Sequence, residues 1–175
     1  MTKSLQVLEA TLDDVAELEK LVNSAYRGES SKKGWTTEAD LLDGIRTSRE
    51  SLTEQINNPN ALILKGVNKE GEICGCVYLE RKESSLYLGM LTVSPTLQNS
   101  GIGKVLLAAA EDYARASGLF KLSMTVISLR KELIKWYERR GYRKTNRKEA
   151  FPNDPRFGIP KQSLEFIIME KAINL

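Results

Sequence analysis

The stretch Leu91-Thr92-Val93-Ser94-Pro95-Thr96-Leu97-Gln98-Asn99-Ser100-Gly101-Ile102-Gly103-Lys104 decides how the rest of this chain is read. An apolar run with strand character stops at Pro95, and a short polar loop follows. Two glycines then open an amphipathic helix carrying Ile102, Val105, Leu106, Ala109 and Tyr113 on one face. The first N–H groups of a helix have no intrahelical partner, and the helix dipole adds partial positive charge there. Glycines at that place let a phosphate approach the backbone, so the segment has the makings of an anion cradle. On the glycines alone, an ordinary tight strand-to-helix turn is the better reading. Two familiar phosphate loops do not fit. A Walker A loop needs glycine where Gln98 stands and Ser or Thr where Val105 stands, and a dinucleotide fingerprint needs glycine at Leu106.

Working outward, Ala61 to Val67, Glu72 to Glu80 and Leu86 to Val93 read as strands. The turn Asn68-Lys69-Glu70-Gly71 joins the first two, which makes this part of the sheet antiparallel. Ahead of them, a short strand from Leu5 to Leu8 leads into a helix started by Thr11, with Leu12, Val15, Leu18 and Val22 at helical spacing. A polar loop spans Arg27 to Gly34. Beyond Trp35, Thr37 is expected to cap a second helix carrying Leu41, Leu42 and Ile45. Thr47-Ser48-Arg49-Glu50 has capping-box spacing for a further short helix through Leu52 and Ile56.

Downstream, Gly118 sits where a C-terminal cap glycine belongs. A strand from Leu122 to Ile127, a helix from Leu129 to about Arg140 and a stop at Gly141 come next. Strands from Tyr142 to Lys148 and from Ser163 to Lys171 finish the chain, separated by the loop Ala150 to Pro160. The expected fold class is α+β: one domain over 1–175, with a mixed, largely antiparallel sheet and helices on both faces.

The chain has 175 residues, 26 basic against 23 acidic, a net charge of +3, two cysteines and no histidine. Without histidine, Ser-His-Asp and Cys-His catalysis are excluded within one chain, and no metal site is expected. The small charge gives no argument for nucleic acid, and no apolar run approaches the ~18 residues of a membrane span, so a cytoplasmic protein is expected. Cys74 and Cys76 alternate with apolar neighbours, which predicts that both point to one strand face in a packing role. Arg139, Arg140, Arg143, Lys144, Arg147 and Lys148 form a local basic cluster.

Gln98-x-x-Gly101-x-Gly103, after a strand ending Leu91-Thr92-Val93-x-Pro95, resembles the acetyl-CoA-binding motif of the GNAT N-acetyltransferase superfamily. Trp136-Tyr137-Glu138-Arg139-Arg140-Gly141-Tyr142 resembles a second stretch of that family, and the element order matches over roughly Leu5 to Lys171. The resemblance implies acetyl-CoA as cosubstrate. It implies that Gln98, Asn99, Ser100, Gly101, Ile102, Gly103 and Lys104 hold the pyrophosphate through backbone N–H groups. It also implies a bulged central strand that splays from its neighbour, so that pantetheine pairs with backbone at Leu91 and Val93. Tyr137 falls where many members place the tyrosine that assists the departing thiolate. A phenol near pKa ~10 keeps its proton at neutral pH yet can donate to a developing thiolate. Two positions depart from the family: Tyr87 stands where some members carry an acid, and Arg130 where many carry Asn.

The amine must lose a proton before it attacks. Glu80 is the first candidate for that base, Glu38 and Asp40 follow, and bound water is the alternative. By the same resemblance the acceptor cleft is walled by the loop after the first helix and by the loop before the last strand. Tyr26, Trp35, Glu38 and Phe157 are therefore the expected acceptor-binding residues. Arg27, Arg46 or Arg156 suit a substrate carboxylate, and Glu38 or Glu54 an ammonium group. The expected reaction is direct acetyl transfer to the amine of a small, amino-acid-like molecule. A non-catalytic acyl-CoA-binding module and a protein or peptide N-acetyltransferase are the alternatives, and either a monomer or a homodimer is compatible with the sequence.

Overall fold

The structure, a computed structural model, describes residues 5–26, 37–98, 100–152, 154, 156 and 158–174. Thr11 opens the first helical segment as its sequence requires, its N–H donating to the Asp14 carboxylate at 2.8 Å. The elements run β1 (Gln6–Glu9), a 3-10 turn (Leu12–Asp14), α1 (Val15–Tyr26), β2 (Leu42–Asp43) and α2 (Arg49–Asn57). Then come β3 (Ala61–Val67), β4 (Ile73–Arg81), β5 (Leu86–Val93), a 3-10 turn (Pro95–Leu97) and α3 (Ile102–Ala116). The chain ends with β6 (Lys121–Ile127), α4 (Lys131–Glu138), β7 (Arg143–Ala150), β8 (Ile159–Pro160) and β9 (Glu165–Ala172). Among the described residues, no helix is long and apolar enough to cross a membrane.

Seven strands form one sheet in the order β1-β3-β4-β5-β6-β9-β7. The pair β5/β6 is parallel and the others are antiparallel. The apolar stripes of α1 and α2, including Leu18, Val22 and Leu52, pack with Ile63, Cys76 and Met90 on one face. On the other face α3 and α4, through Ile102, Leu106, Ala110 and Ile134, pack with Val77, Leu88, Met124 and Met169. Each such fully buried aliphatic side chain contributes about 1.5–3 kcal/mol relative to exposure. The fold is α+β, with a mixed, mostly antiparallel sheet and helices on both faces, as expected. The buried stripe of α3 is turned slightly from the expected one, with Leu107, Ala110 and Ala114 taking the places expected of Val105, Ala109 and Tyr113.

Two β-bulges set the geometry of the centre. Gly66 pairs with Gly75 but Val67 with Ile73, so Cys74 is an extra residue in β4. That insertion corrects the expectation for the cysteines: Cys74 packs against α3 and α4, whereas Cys76 packs against α1 and α2. The second bulge is in β5. Tyr78 pairs with Gly89 and Cys76 with Thr92, leaving Val77 opposite both Met90 and Leu91. Met90 takes a left-handed φ of 55° there. Strand β5 then leaves β6, whose pairing with it ends at Tyr87 and Ser123. A notch opens between the two strands.

The helix expected beyond Thr37 is a single turn. Thr37 Oγ1 accepts from Ala39 N–H at 3.0 Å, and Leu41 and Leu42 N–H both donate to Glu38 O at 2.9 Å. The chain then extends, because Leu42 pairs with Pro160 and inserts its side chain against Ile127 and Leu164. Gly44, at φ 87°, ends this short ribbon. The cap of α2 is Ser48, one residue later than expected, its hydroxyl accepting from Ser51 N–H at 3.1 Å.

Candidate active site

The amino end of α3 is shaped by its two glycines. Gly101 sits at φ 91°, a conformation that a side chain would strain, and starts the helix by accepting from Val105 N–H at 3.1 Å. A Cβ at Gly103 would lie 3.4 Å from the Trp136 ring, which covers that turn of the helix. The Arg140 guanidinium lies 3.8 Å from the Trp136 centroid and donates to Trp136 O at 2.8 Å. Leu91, Val93, Gln98, Gly101, Ile102, Gly103, Lys104, Tyr137, Arg139 and Arg140 thus line one cavity of about 270 Å³. Free helix N–H groups, a glycine-cleared surface and a rim of Lys104, Arg139 and Arg140 fit the phosphates of CoA, and the unpaired edge of β5 fits its amide-bearing arm.

A second cavity of about 670 Å³ lies in the notch between β5 and β6. Tyr26, Leu91, Arg130, Leu133 and Tyr137 line both cavities and mark where they meet. Tyr137 is held edge-on by Trp136 and Tyr142, at centroid distances of 5.2 and 5.8 Å. Burial pushes its pKa well above the usual phenol value, so it stays protonated. Its hydroxyl makes no hydrogen bond with the described residues, which leaves the proton for a ligand. Opposite, Tyr26 donates to the Leu91 carbonyl at 2.5 Å, and its pKa is also raised, by burial first.

The larger cavity is lined with charge. Arg130, at the start of α4, reaches Glu38 at 3.1 Å, and both side chains are buried. Arg46 stacks over Tyr26, 5.2 Å from the ring centroid, and Arg130 lies 5.8 Å from the same ring. Tyr87, which also lines this cavity, sits 3.3 Å from Thr125 across the β5/β6 pair.

The sequence candidates divide accordingly. Leu91, Val93, Gln98, Gly101, Ile102, Gly103, Lys104 and Tyr137 converge on the first cavity, and Tyr26 and Glu38 on the second. Ser100 lines neither; its hydroxyl donates to Leu97 O. Asn99, Trp35, Phe157 and Arg27 lie outside the described residues. Glu80 is not brought to the site. Lys82 and the Tyr78 hydroxyl each bond its carboxylate at 2.8 Å, and the Lys82 contact above all holds its pKa below the usual carboxylate value. Arg156 is exposed and bonded to Asp154 at 2.8 Å. The pairing of Arg130 with Glu38 was not legible, because 92 residues separate them.

A family model described as the acetyltransferase (GNAT) family matches residues 16–142. No curated protein matches the chain. Among solved structures, the ribosomal-protein-S18-alanine N-acetyltransferase of Escherichia coli superposes with a TM-score of 0.71 at 15% identity, covering 98% of this chain and 95% of that one. The PaiA N-acetyltransferase of Thermoplasma acidophilum, in complex with coenzyme A, gives 0.68 at 20% identity, covering 97% and 99%. Nourseothricin acetyltransferase gives 0.70 at 17% identity, covering 98% and 99%. These likenesses show the shared fold, and the family match spans most of the chain. The protein belongs to the acetyltransferase (GNAT) family, whose members are acetyl-CoA-dependent N-acetyltransferases.

Proposed function

We propose that the protein moves the acetyl group of acetyl-CoA directly to the amine of a small molecule. The observation that carries this reading is the meeting of the two cavities at Leu91 and Tyr137. In this reading the α3 N-terminus holds the phosphates, and the thioester arrives at the β5 bulge. The amine comes from the larger cavity. Its nitrogen attacks the thioester carbon, the C–S bond breaks, and the nitrogen loses a proton as the departing sulfur gains one. Tyr137 donates a hydrogen bond to that sulfur. With its pKa raised, it acts as a donor that keeps its own proton rather than as a strong acid. The amine's proton leaves through water, because Arg130 engages Glu38, and Lys82 and Tyr78 engage Glu80.

The short ribbon favours a small acceptor. Lys161 N–H donates to Leu41 O at 2.8 Å and Lys161 Nζ to Ala39 O at 2.9 Å, which ties the turn after α1 to the segment before β9. With Leu42 seated on Ile127 and Leu164, this joint fixes the turn that carries Glu38, and a fixed cavity wall suits a compact acceptor. A thiol-release assay with acetyl-CoA against amines, amino acids, polyamines, aminoglycosides and peptides tests the reading. Turnover with free small amines is expected, and turnover confined to peptides would overturn it. A rise in melting temperature with acetyl-CoA but no release on any amine would indicate a binding module instead.

A further inference from the structure

Among the described residues, each cation lining the larger cavity except Arg46 reaches a carboxylate. Arg130 faces Glu38 at 3.1 Å, Lys82 faces Glu80 at 2.8 Å, and Lys121 and Arg147 share Glu170. The guanidinium of Arg46 has no carboxylate and no hydrogen-bond acceptor among the described residues. Its contact is the face of Tyr26. A half-buried guanidinium on a cavity wall with no protein acceptor keeps its donors available to an anionic ligand.

The position of Arg46 is built, not incidental. Asn23 Oδ1 accepts from both Arg46 N–H at 2.7 Å and Thr47 N–H at 2.9 Å, and Asn23 Nδ2 donates to Thr47 O at 3.0 Å. The next residue, Ser48, caps α2. The backbone is therefore clamped on both sides, while the side chain lies on a ring whose hydroxyl reaches Leu91. Arg46 thus stands about one tyrosine side chain away from the strand where acetyl transfer is placed.

We propose that Arg46 holds the carboxylate of the acceptor, so that the second substrate is an amine bearing a carboxylate within a few bonds of its nitrogen. A planar guanidinium meets a carboxylate with two parallel hydrogen bonds, and the Tyr26 ring beneath supports the Arg46 head group. This rests on the small-acceptor reading above and names its substrate class.

The test compares the α-amino acids with their carboxamides and their decarboxylated amines, using thiol release from acetyl-CoA by wild type, Arg46→Leu and Arg46→Lys. Wild type is expected to favour the acids roughly 10–100-fold in kcat/KM, the worth of a charge-assisted hydrogen-bonded pair. Arg46→Leu should bring that ratio near one by raising KM for the acids, and Arg46→Lys should recover part of it. Melting temperature and acetyl-CoA affinity, measured on each variant, report whether fold and cosubstrate site persist. An unchanged acid preference in Arg46→Leu would overturn the role of Arg46. Wild-type preference for amides or simple amines would overturn the substrate class while leaving the small-acceptor reading intact. Turnover with peptides alone would overturn both.

Discussion

Arg130 and Glu38 form a buried ion pair, 3.1 Å apart, with side chains 5% and 8% exposed. The pair joins the amino end of α4, which carries Tyr137, to the turn after α1, which borders the larger cavity. Removing one member leaves the other as a buried charge short of its main counter-ion, at a cost of about 3–5 kcal/mol. Glu38→Gln should therefore lower the urea midpoint sharply. The double substitution Glu38→Leu with Arg130→Met should recover most of that loss. A cost below about 1 kcal/mol for Glu38→Gln would mean that the pair behaves as a surface contact.

Tyr26 bonds the very carbonyl, Leu91 O, that a pantetheine arm along β5 would use. Cosubstrate binding along that edge then competes with the phenol hydroxyl for the carbonyl. Tyr26→Phe removes that competition while keeping the ring beneath Arg46. Acetyl-CoA should bind about fivefold more tightly to this variant, corresponding to roughly 1 kcal/mol for one hydrogen bond. Titration calorimetry measures it, and weaker binding would count against the competition.

Tyr137→Phe should keep the aromatic packing with Trp136 and Tyr142 while deleting the donor. Turnover is expected to fall roughly 100-fold, with acetyl-CoA affinity within about twofold of wild type. Because burial raises the Tyr137 pKa, the wild-type rate should show no decline from its ionisation up to pH 10. Equal turnover of the two proteins across pH would remove Tyr137 from the chemistry.

Burial pushes the Cys76 thiol from its ordinary 9.0 up to about 12. A raised folded-state pKa means a contribution fully present below pH 9 and lost progressively as pH rises toward 12. Stability to urea should therefore drop between pH 9 and 11, and less steeply in Cys76→Ala, although that variant starts lower because of its cavity. At pH 8, both thiols should resist a disulfide reagent until the protein is unfolded, since Cys74 and Cys76 are both buried.

Much of the lining of the first cavity was legible in the sequence, because it is local there. Gly101 and Gly103 must precede the helix they start, and Tyr137 lies one helix away at a spacing set by β6 and α4. Period and caps likewise located β3, β4, β5 and α3 to within a residue or two. The misreadings share one cause. Leu41, Leu42 and Ile45 are spaced for a helix, but pairing with Ile159 and Pro160, more than a hundred residues on, drew the segment into a strand. Alternation put Cys74 and Cys76 on one face until a bulge opposite Gly66 separated them.

By itself the sequence determined the family motif, the antiparallel start of the sheet, and the exclusion of histidine chemistry, all of which depend on residue type and short spacing. Tertiary structure alone decided the shape and charge of the larger cavity. The notch opens because bulged β5 leaves β6 after Tyr87, and the cleft takes its charge from which side chains meet there. Glu38 finds Arg130, Glu170 finds Arg147, and Arg46 is left facing the cavity. Such pairings follow from where the chain returns in space, and short-range periodicity carries no record of them.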